Sequence, residues 1–566
     1  MFEGSILENN LYPYPQVNET ESETLKLVLD SIDKFLSPLA ENFREYDVKG
    51  EQPKEYIQSL KDLGLFGLII PEEFGGIGFS NRAYARVVEQ LSFYDGSTAL
   101  TVAAHSSIGM KGLLLFGTAE QKKKYLPKLA SGEMIASFCL TESGSGSDAA
   151  SIKTTAEKNA DGSWTLTGEK IWITNGAFAD FFTVFAKSNT DAGKITAFIV
   201  ERTWAGVGTG VKEDKMGIRS SATTTVTFDN VKIPAEAVLG EEGKGFKVAM
   251  AILNNGRTGL GGGSVGAMKR CIELATKQAT ERKQFNKKIS EFGLVQEKIS
   301  QMAALCFATE SVVGMVANYI DSGVEDYSVE AAISKIFASE SLWYVSNEAL
   351  QIAGGNGFMR HFPYERIVRD CRINLIFEGT NEILRLYVAL SGLKDAGTHL
   401  KEIGKSVANI FNDPIKGFGV LSDYATKRFA EITKIGGDKF EKVHPELKEE
   451  SAFFEKVLLQ LSKESAAVLK KYRDKIVDQQ FQQKRLAELV IDTFVGFSVL
   501  SRVTTDIEAK GLAQCANEIK LAKLFTKMTK VRISENLRGI EREDDKLFQE
   551  VASNITENGK YLWDIV

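Results

Sequence analysis

Histidine, cysteine and proline are scarce in this chain. Four histidines (His105, His361, His399 and His444) in 566 residues argue against a His-based metal site. Five cysteines (Cys139, Cys271, Cys306, Cys371 and Cys515) stand far apart, with no C-x-x-C pair. That pattern argues against a disulfide framework or a zinc site and fits a reducing compartment. Charge of one sign is also missing. Lys plus Arg total 69 against 75 Asp plus Glu, a net −6, and nothing in that balance points to nucleic acid. No apolar run approaches the roughly 20 residues needed to span a bilayer. The first thirty residues carry six acids and one base, Lys26, so they read neither as a signal peptide nor as a transit peptide. The expected location is a bacterial cytoplasm, or a mitochondrial matrix if a transit peptide has been removed.

What is present is ordinary for a globular protein: 43% hydrophobic and 25% charged residues. At roughly 150 residues per domain the length sets a prior of three to four domains. Glycine is the abundant residue, 49 against 10 prolines, without low complexity. It is therefore expected where backbone turns tightly or approaches a ligand.

Hydrophobic periodicity divides the chain. Residues 1–135 read as helical, with Leu25, Val28, Ile32 and Leu36 at helical spacing. From 136 to 240 short β-type runs alternate with Gly, Asn and Asp. Long helical patterns return over 241–395 and continue through a further module, 396–566. The fold class read from this order is α+β multidomain: an α domain, a β-barrel-like domain, an α bundle and an extra helical tail. Residues 1–400 sum to −8 and residues 401–566 to +2.

Two segments carry candidate chemistry. Phe138-Cys139-Leu140-Thr141-Glu142-Ser143-Gly144-Ser145-Gly146-Ser147-Asp148 leaves a β-type run for a chain of hydroxyls and glycines. Such a backbone lets a flat or anionic group come close, although a flexible Ser/Gly loop fits the composition equally well. It lacks the Lys-Ser/Thr ending of a Walker A loop. Further on stands Lys170-Ile171-Trp172-Ile173-Thr174-Asn175-Gly176. On a strand, Trp172 and Thr174 share a face and would meet one planar ring; a core Trp beside a turn is the simpler reading of that block alone.

Taken together, T-E-x-G-x-G-S-D and K-I-W-I-T-N-G resemble the flavin-binding β domain of acyl-CoA dehydrogenases. Further blocks of that family follow in order: Asp214–Arg219, Gly245–Met250, Arg282–Phe285, Gln351–Gly357 and Ile376–Asn381. The tail, with Val443-His444-Pro445-Glu446-Leu447 and Gln480 to Ala487, is similar to the very-long-chain branch and its paralogue linked to complex I assembly. Where the family usually has Pro after Thr-Glu, this chain has Ser143, which puts the stiffness of the loop in question.

The resemblance implies FAD and assigns it residues. Phe138, Leu140, Thr141, Gly146 and Ser147 line the flavin, with Trp172, Ile173 and Thr174 at its ring. Arg282, Gln284, Phe285 and Phe292, then Gln351, Ile352, Ala353, Gly354 and Gly355, reach the pyrophosphate and adenine of a cofactor held largely by the neighbouring subunit. Thr380 and Asn381 bind the adenosine diphosphate part. That arrangement implies a homodimer. Ser147, Asn255, Arg257, Phe377 and Gly379 lie along the acyl-CoA path. Ala99 and Ala103 replace larger polar groups of shorter-chain relatives, which implies a deep channel; small residues that let helices pack closely are the alternative.

Glu378 is the expected base. An exposed carboxylate, with a pKa near ~4, abstracts a weakly acidic α-proton poorly. Behind Leu375, Ile376 and Phe377, in a dried pocket, its pKa should rise. Relatives that carry the base on another helix place it before a shared arginine; here that position is Gly256, before Arg257. The expected activity is FAD-dependent α,β-dehydrogenation of long or very-long-chain acyl-CoA, with electrons passing to an electron-transfer flavoprotein. The alternative is an interaction or assembly protein of the same fold with secondary dehydrogenase activity. Residues 400–435 interleave apolar positions with Lys401, Lys405, Lys416, Lys427, Arg428 and Lys434. They are expected to lie against an anionic membrane surface, in a bacterium the inner membrane, or to pack as a bundle helix pair.

Overall fold

The computed structural model describes residues 1–190, 194–399, 437–540, 542 and 544–564, with side chains left aside at 395–399 and 474. The segment 400–435 with its basic amphipathic pattern lies outside the described residues.

Helix α1 (Glu19–Leu36) opens the first layer, its N-cap Asn18 accepting from the Glu21 N–H. Helices α2 (Ala40–Lys49), α3 (Asn81–Tyr94) and α4 (Gly96–Ala103) follow. Asp95 ends α3 and caps α4 by accepting from the Thr98 N–H at 2.8 Å. Helix α4 runs into a π-helical turn, Ala104–Gly109, whose His105 ring is wholly buried and accepts from the Ala136 N–H at 3.0 Å.

The β layer is a seven-stranded sheet: β1 (Ala136–Cys139), β2 (Thr155–Lys158), β3 (Trp164–Thr174), β4 (Phe181–Ser188), β5 (Ile195–Glu201), β6 (Val207–Lys212) and β7 (Thr223–Ile233). The order is β1-β4-β2-β3-β7-β6, with β5 on β4; the β4 pairings to β1 and β2 are parallel and the rest antiparallel. Strand β3 is interrupted by a register shift between Lys170 and Ile173. Trp172 lies in that shift at φ +57, so a bulge, and not simple strand alternation, sets where its indole goes.

Helices α5 (Gly245–Glu281), α6 (Gly293–Asp321) and α7 (Ser328–Ala353), with α8 (Tyr364–Cys371) and α9 (Asn381–His399), form the bundle. The glycines of α5 admit close neighbours: a Cβ at Gly262 or Gly266 would run into the backbone of Ala85 or Glu89 on α3. Gly96–Phe116 and Gly293–Asp321 are apolar and long enough to pass as membrane spans, contrary to the sequence expectation. Both are mostly buried, because a large core needs apolar helices as much as a bilayer does.

Tail helices α10 (Lys448–Tyr472), α11 (Gln480–Lys510) and α12 (Ala516–Ile540) continue the bundle core, and α13 (Asp545–Asn558) lies outside it with no buried residue, held at its start by Arg485 on Asp545. Arg385 on α9 ties the two together, reaching Glu340 on α7 at 2.7 Å and Glu488 on α11 at 2.5 Å. The start of the chain joins this body and not the first helical layer: Phe2, Ile6, Leu11 and Tyr14 are buried in the bundle-and-tail core, and the Tyr14 N–H donates to Thr505.

Candidate active site

Two cavities of about 470 Å³ each meet at Leu100, Ile108, Phe377 and Glu378. One lies against the sheet. Its wall takes Phe138, Leu140, Thr141, Gly146 and Ser147 from the loop after β1, and Trp172, Ile173 and Thr174 from β3. The opposite wall takes Arg257, Phe377, Glu378 and Gly379 from the bundle. The second cavity runs among the helices, with Ala99, Ala103, Gly256 and Gly259 in its lining.

The small-residue loop is braced. Lys170, fully buried on β3, reaches Glu142 at 2.7 Å and the Leu140 carbonyl at 3.1 Å. Glu142 also accepts from the Thr154 N–H, and the backbones of Glu142 and Ser145 bond each other in both directions at 3.1 Å. These contacts supply the stiffness that the missing proline at Ser143 put in question. Gly146 meets open space where a Cβ would point, and the Trp172 indole is 63% exposed. A planar group has room between them.

Glu378 sits in the turn joining the Arg372–Leu375 3₁₀ turn to α9, at φ +56, followed by Gly379 at φ +95. Two left-handed residues in succession are costly for a glutamate and hold only where surroundings enforce them. Arg257 supplies part of that, donating to the Glu378 carbonyl at 3.3 Å and to Asn254 at 2.6 Å. Lys335 supplies the rest, donating to the Gly379 carbonyl and to Asn381 Oδ1, each at 2.8 Å. The Glu378 Oε2 is sealed from solvent without a hydrogen-bond partner. Burial pushes its carboxyl up to about 7, against the opposing pull of Arg257 and Lys335. Gly256 faces it: a Cβ there would lie 3.6 and 3.7 Å from the two carboxylate oxygens. A side chain at 256 would press on Ile108, 2.8 Å from such a Cβ, and enter the space beside the Glu378 carboxylate.

The remaining expected residues fall elsewhere. Asn255 is buried and is not among the residues lining the cavity; it donates to Tyr327, which does line it. Asn381 is buried, with its amide engaged by Lys335, Ser339 and Glu340. Thr380 caps the start of α9 by accepting from the Ile383 N–H at 3.3 Å. Ile352 and Ala353 pack into the bundle core. Arg282, Gln284 and Phe285 stand exposed at a hairpin, β8 (Lys283–Gln284) and β9 (Lys287–Lys288), with Phe285 88% exposed and its ring 6.1 Å from Phe292. Gln351, Gly354 and Gly355 are likewise exposed, and none of this second group lines either cavity. Lys335 was missed by the sequence reading. Its signal was present: one lysine inside the otherwise apolar run Ala331-Ala332-Ile333-Ser334-Lys335-Ile336-Phe337.

Family models match nearly the whole described chain. They are the N-terminal, middle and C-terminal domains of acyl-CoA dehydrogenase over residues 22–133, 137–231 and 243–393. The chain belongs to the acyl-CoA dehydrogenase family. A fourth model, the ACAD9/ACADV C-terminal domain, covers residues 445–561. The very long-chain specific acyl-CoA dehydrogenase of Rattus norvegicus, a mitochondrial protein, is 43% identical over 99% of this chain and 87% of its own. The corresponding Homo sapiens protein is 43% identical over 99% and 86%. An acyl-CoA dehydrogenase of Bacillus anthracis, solved in complex with FAD, superposes with a TM-score of 0.80 at 33% identity, covering 98% of this chain and 94% of that one. As an acyl-CoA dehydrogenase of the very-long-chain branch, the chain is a flavoprotein oxidoreductase acting on CH–CH groups, and FAD is its cofactor.

Proposed function

We propose that this enzyme removes hydrogens from the α and β carbons of long or very-long-chain acyl-CoA thioesters, with Glu378 as the base. The observation that carries the reading is the Glu378 carboxylate at the junction of the two cavities, its Oε2 buried without a hydrogen-bond partner. With FAD bound, the flavin serves as acceptor of the β-hydride.

The residues present fit the cofactor: an open glycine loop, an exposed indole on a bulge and the Thr174 hydroxyl line one cavity wall. Glu378, held near neutrality by burial, takes the α-proton with modest driving force at physiological pH. Its backbone N–H donates to no acceptor among the described residues and is free for a thioester carbonyl on which charge develops. Arg257 and Lys335 fix the turn so that both groups of Glu378 are placed together. Ala99 and Ala103 line the helix cavity, and their small side chains support a long acyl chain over a short one.

Arg282, Gln284, Phe285, Phe292, Gln351, Gly354 and Gly355 complete the site of a second copy in a homodimer; all but the half-buried Phe292 are exposed, and none lines either cavity, which supports this reading. Thr380 and Asn381 belong to the same reading, Asn381 through its backbone, since its amide is engaged. The four-part division at 135, 240 and 395 accompanies it. Electrons pass to an electron-transfer flavoprotein, in a bacterial cytoplasm or a mitochondrial matrix.

The test is spectral. Purified yellow enzyme, mixed anaerobically with acyl-CoAs of increasing length, bleaches with long chains and does not bleach in Glu378→Gln. A protein without flavin, or one that no acyl-CoA bleaches, overturns the reading and favours the same-fold interaction protein.

A further inference from the structure

The helix cavity does not close among apolar side chains. From Gly256, beside Glu378, it follows α5 past Gly259, Gly263 and Ala267 to Arg270. At 1.5 Å per residue that is a run of about 21 Å. At the far end the lining becomes charged: Arg270 and Glu273 pair with each other at 2.9 Å, Glu365 on α8 pairs with Arg369 at 2.6 Å, and beside them stand Asp95 at the start of α4 and Arg366 and Asp370 on α8. Asp95 is committed, its Oδ2 accepting from both the N–H and the hydroxyl of Thr98. Arg366 is not. It is 9% exposed, lines the cavity, and makes no hydrogen bond with any described residue; its charge faces Asp370, one turn on, whose carboxyl burial raises and this arginine pulls down. Asp370 uses Oδ1 to accept from the Ile218 N–H, and its Oδ2 has no hydrogen-bond partner among the described residues.

A saturated chain ending in a methyl group would dry this end while pairing neither side chain, and unpaired buried polar groups are costly. A hydroxyl carries one donor and two acceptor lone pairs, the complement of a guanidinium beside a carboxylate. An ω-carboxylate would suit Arg366 but would be forced against Asp95 and Asp370. We infer that the far end of the helix cavity is a subsite for the ω-hydroxyl of long-chain ω-hydroxyacyl-CoA, accepting from Arg366 and donating to Asp370. The inference deepens the proposed function and rests on the acyl chain entering from Glu378.

The test compares matched pairs of saturated acyl-CoA and ω-hydroxyacyl-CoA over a range of lengths on the holoenzyme. In an apolar pocket the ratio of kcat/KM, hydroxy over plain, stays below one at every length. Here it is expected to rise to roughly tenfold at one length and to fall again beyond it, as a hydrogen bond to a charged group gives. Arg366→Met abolishes that maximum and Arg366→Lys keeps part of it; if Arg366→Met does not fold, Asp370→Asn is read in its place. Equilibrium binding to Glu378→Gln holoenzyme, which does not turn over, shows the same maximum in affinity. A ratio without a maximum, a maximum that survives Arg366→Met, or a maximum for ω-carboxyacyl-CoA alone overturns the assignment. If plain acyl-CoAs also fail to bleach the flavin, the dehydrogenase reading fails, while the binding series still decides the subsite.

Discussion

The ammonium of Lys335 lies 2.8 Å from the carbonyl oxygen of Gly379, one residue beyond Glu378, and the same ammonium holds Asn381 at the start of α9. A lysine with no exposed surface thus spans the turn that carries Glu378, the proposed base. It is a positioning residue, acting through the backbone of the base and through its charge.

Lys335→Met should therefore do two things. Releasing Gly379 and Asn381 lets the strained Glu378 turn relax, and kcat should fall at least tenfold with a smaller change in KM, about the effect of one buried charged hydrogen bond. Losing a positive neighbour that lowers the Glu378 pKa should also move the rising limb of the pH–rate profile to higher pH. A merely structural lysine would depress kcat without displacing that limb.

Glu378 also makes stability depend on pH. Its carboxyl is raised from 4.5 to about 7 on folding, so its contribution is fully present below pH 4.5 and is lost as the pH rises through 7. Glu378→Gln removes the cost of ionising a buried acid. The substitution should be near neutral at pH 4.5 and stabilising by about 3 kcal/mol above pH 7. Denaturant unfolding of flavin-free protein at the two pH values measures it; equal differences at both would contradict the buried, unpaired carboxylate.

Ala99→Gln with Ala103→Thr narrows the helix cavity. The double variant should keep activity toward octanoyl-CoA within a few-fold and lose it toward palmitoyl-CoA by at least tenfold, read as kcat/KM across a length series. A uniform loss at all lengths would mean these alanines serve helix packing only.

Phe285→Ala and Arg282→Ala test the second copy. Phe285, 88% exposed at φ +53, contributes little to the fold of its own chain. Both variants should retain secondary structure and lose FAD on dilution at a more than tenfold higher flavin concentration than the parent chain, followed by flavin fluorescence alongside sedimentation velocity. Unchanged retention in a dimer would remove these residues from the cofactor site.

Arg385→Met should uncouple bundle and tail. It leaves Glu488, buried and already raised by desolvation, without its cation. A loss of about 3 kcal/mol is expected. Limited proteolysis should then cut between bundle and tail at lower protease concentration than in the parent chain.

Much of the site was legible in the sequence because its parts are local. The loop from Phe138 to Ser147, the Lys170–Gly176 block and the Glu378 turn are short segments whose residue types state their chemistry: glycine for close approach, an aromatic face, an acid behind apolar residues. The order of helical and β-type periods likewise follows from which neighbours in the chain share a face. Tertiary structure decided whatever depends on residues distant in sequence. It brought Gly256 against Glu378 over 122 positions, threaded Lys335 beneath the turn, supplied the Glu142–Lys170 brace in place of a proline, and set Arg366 facing Asp370 in the lining of a channel. The start of the chain joined the tail core for the same reason: Phe2, Ile6 and Leu11 are apolar by composition, but only packing chooses the partner surface. Composition and period fix what a residue is able to do locally, whereas burial and pKa are properties of the assembled neighbours. The sequence therefore singled out Glu378 as the proposed base, and the fold determined that its carboxyl is buried and its pKa raised.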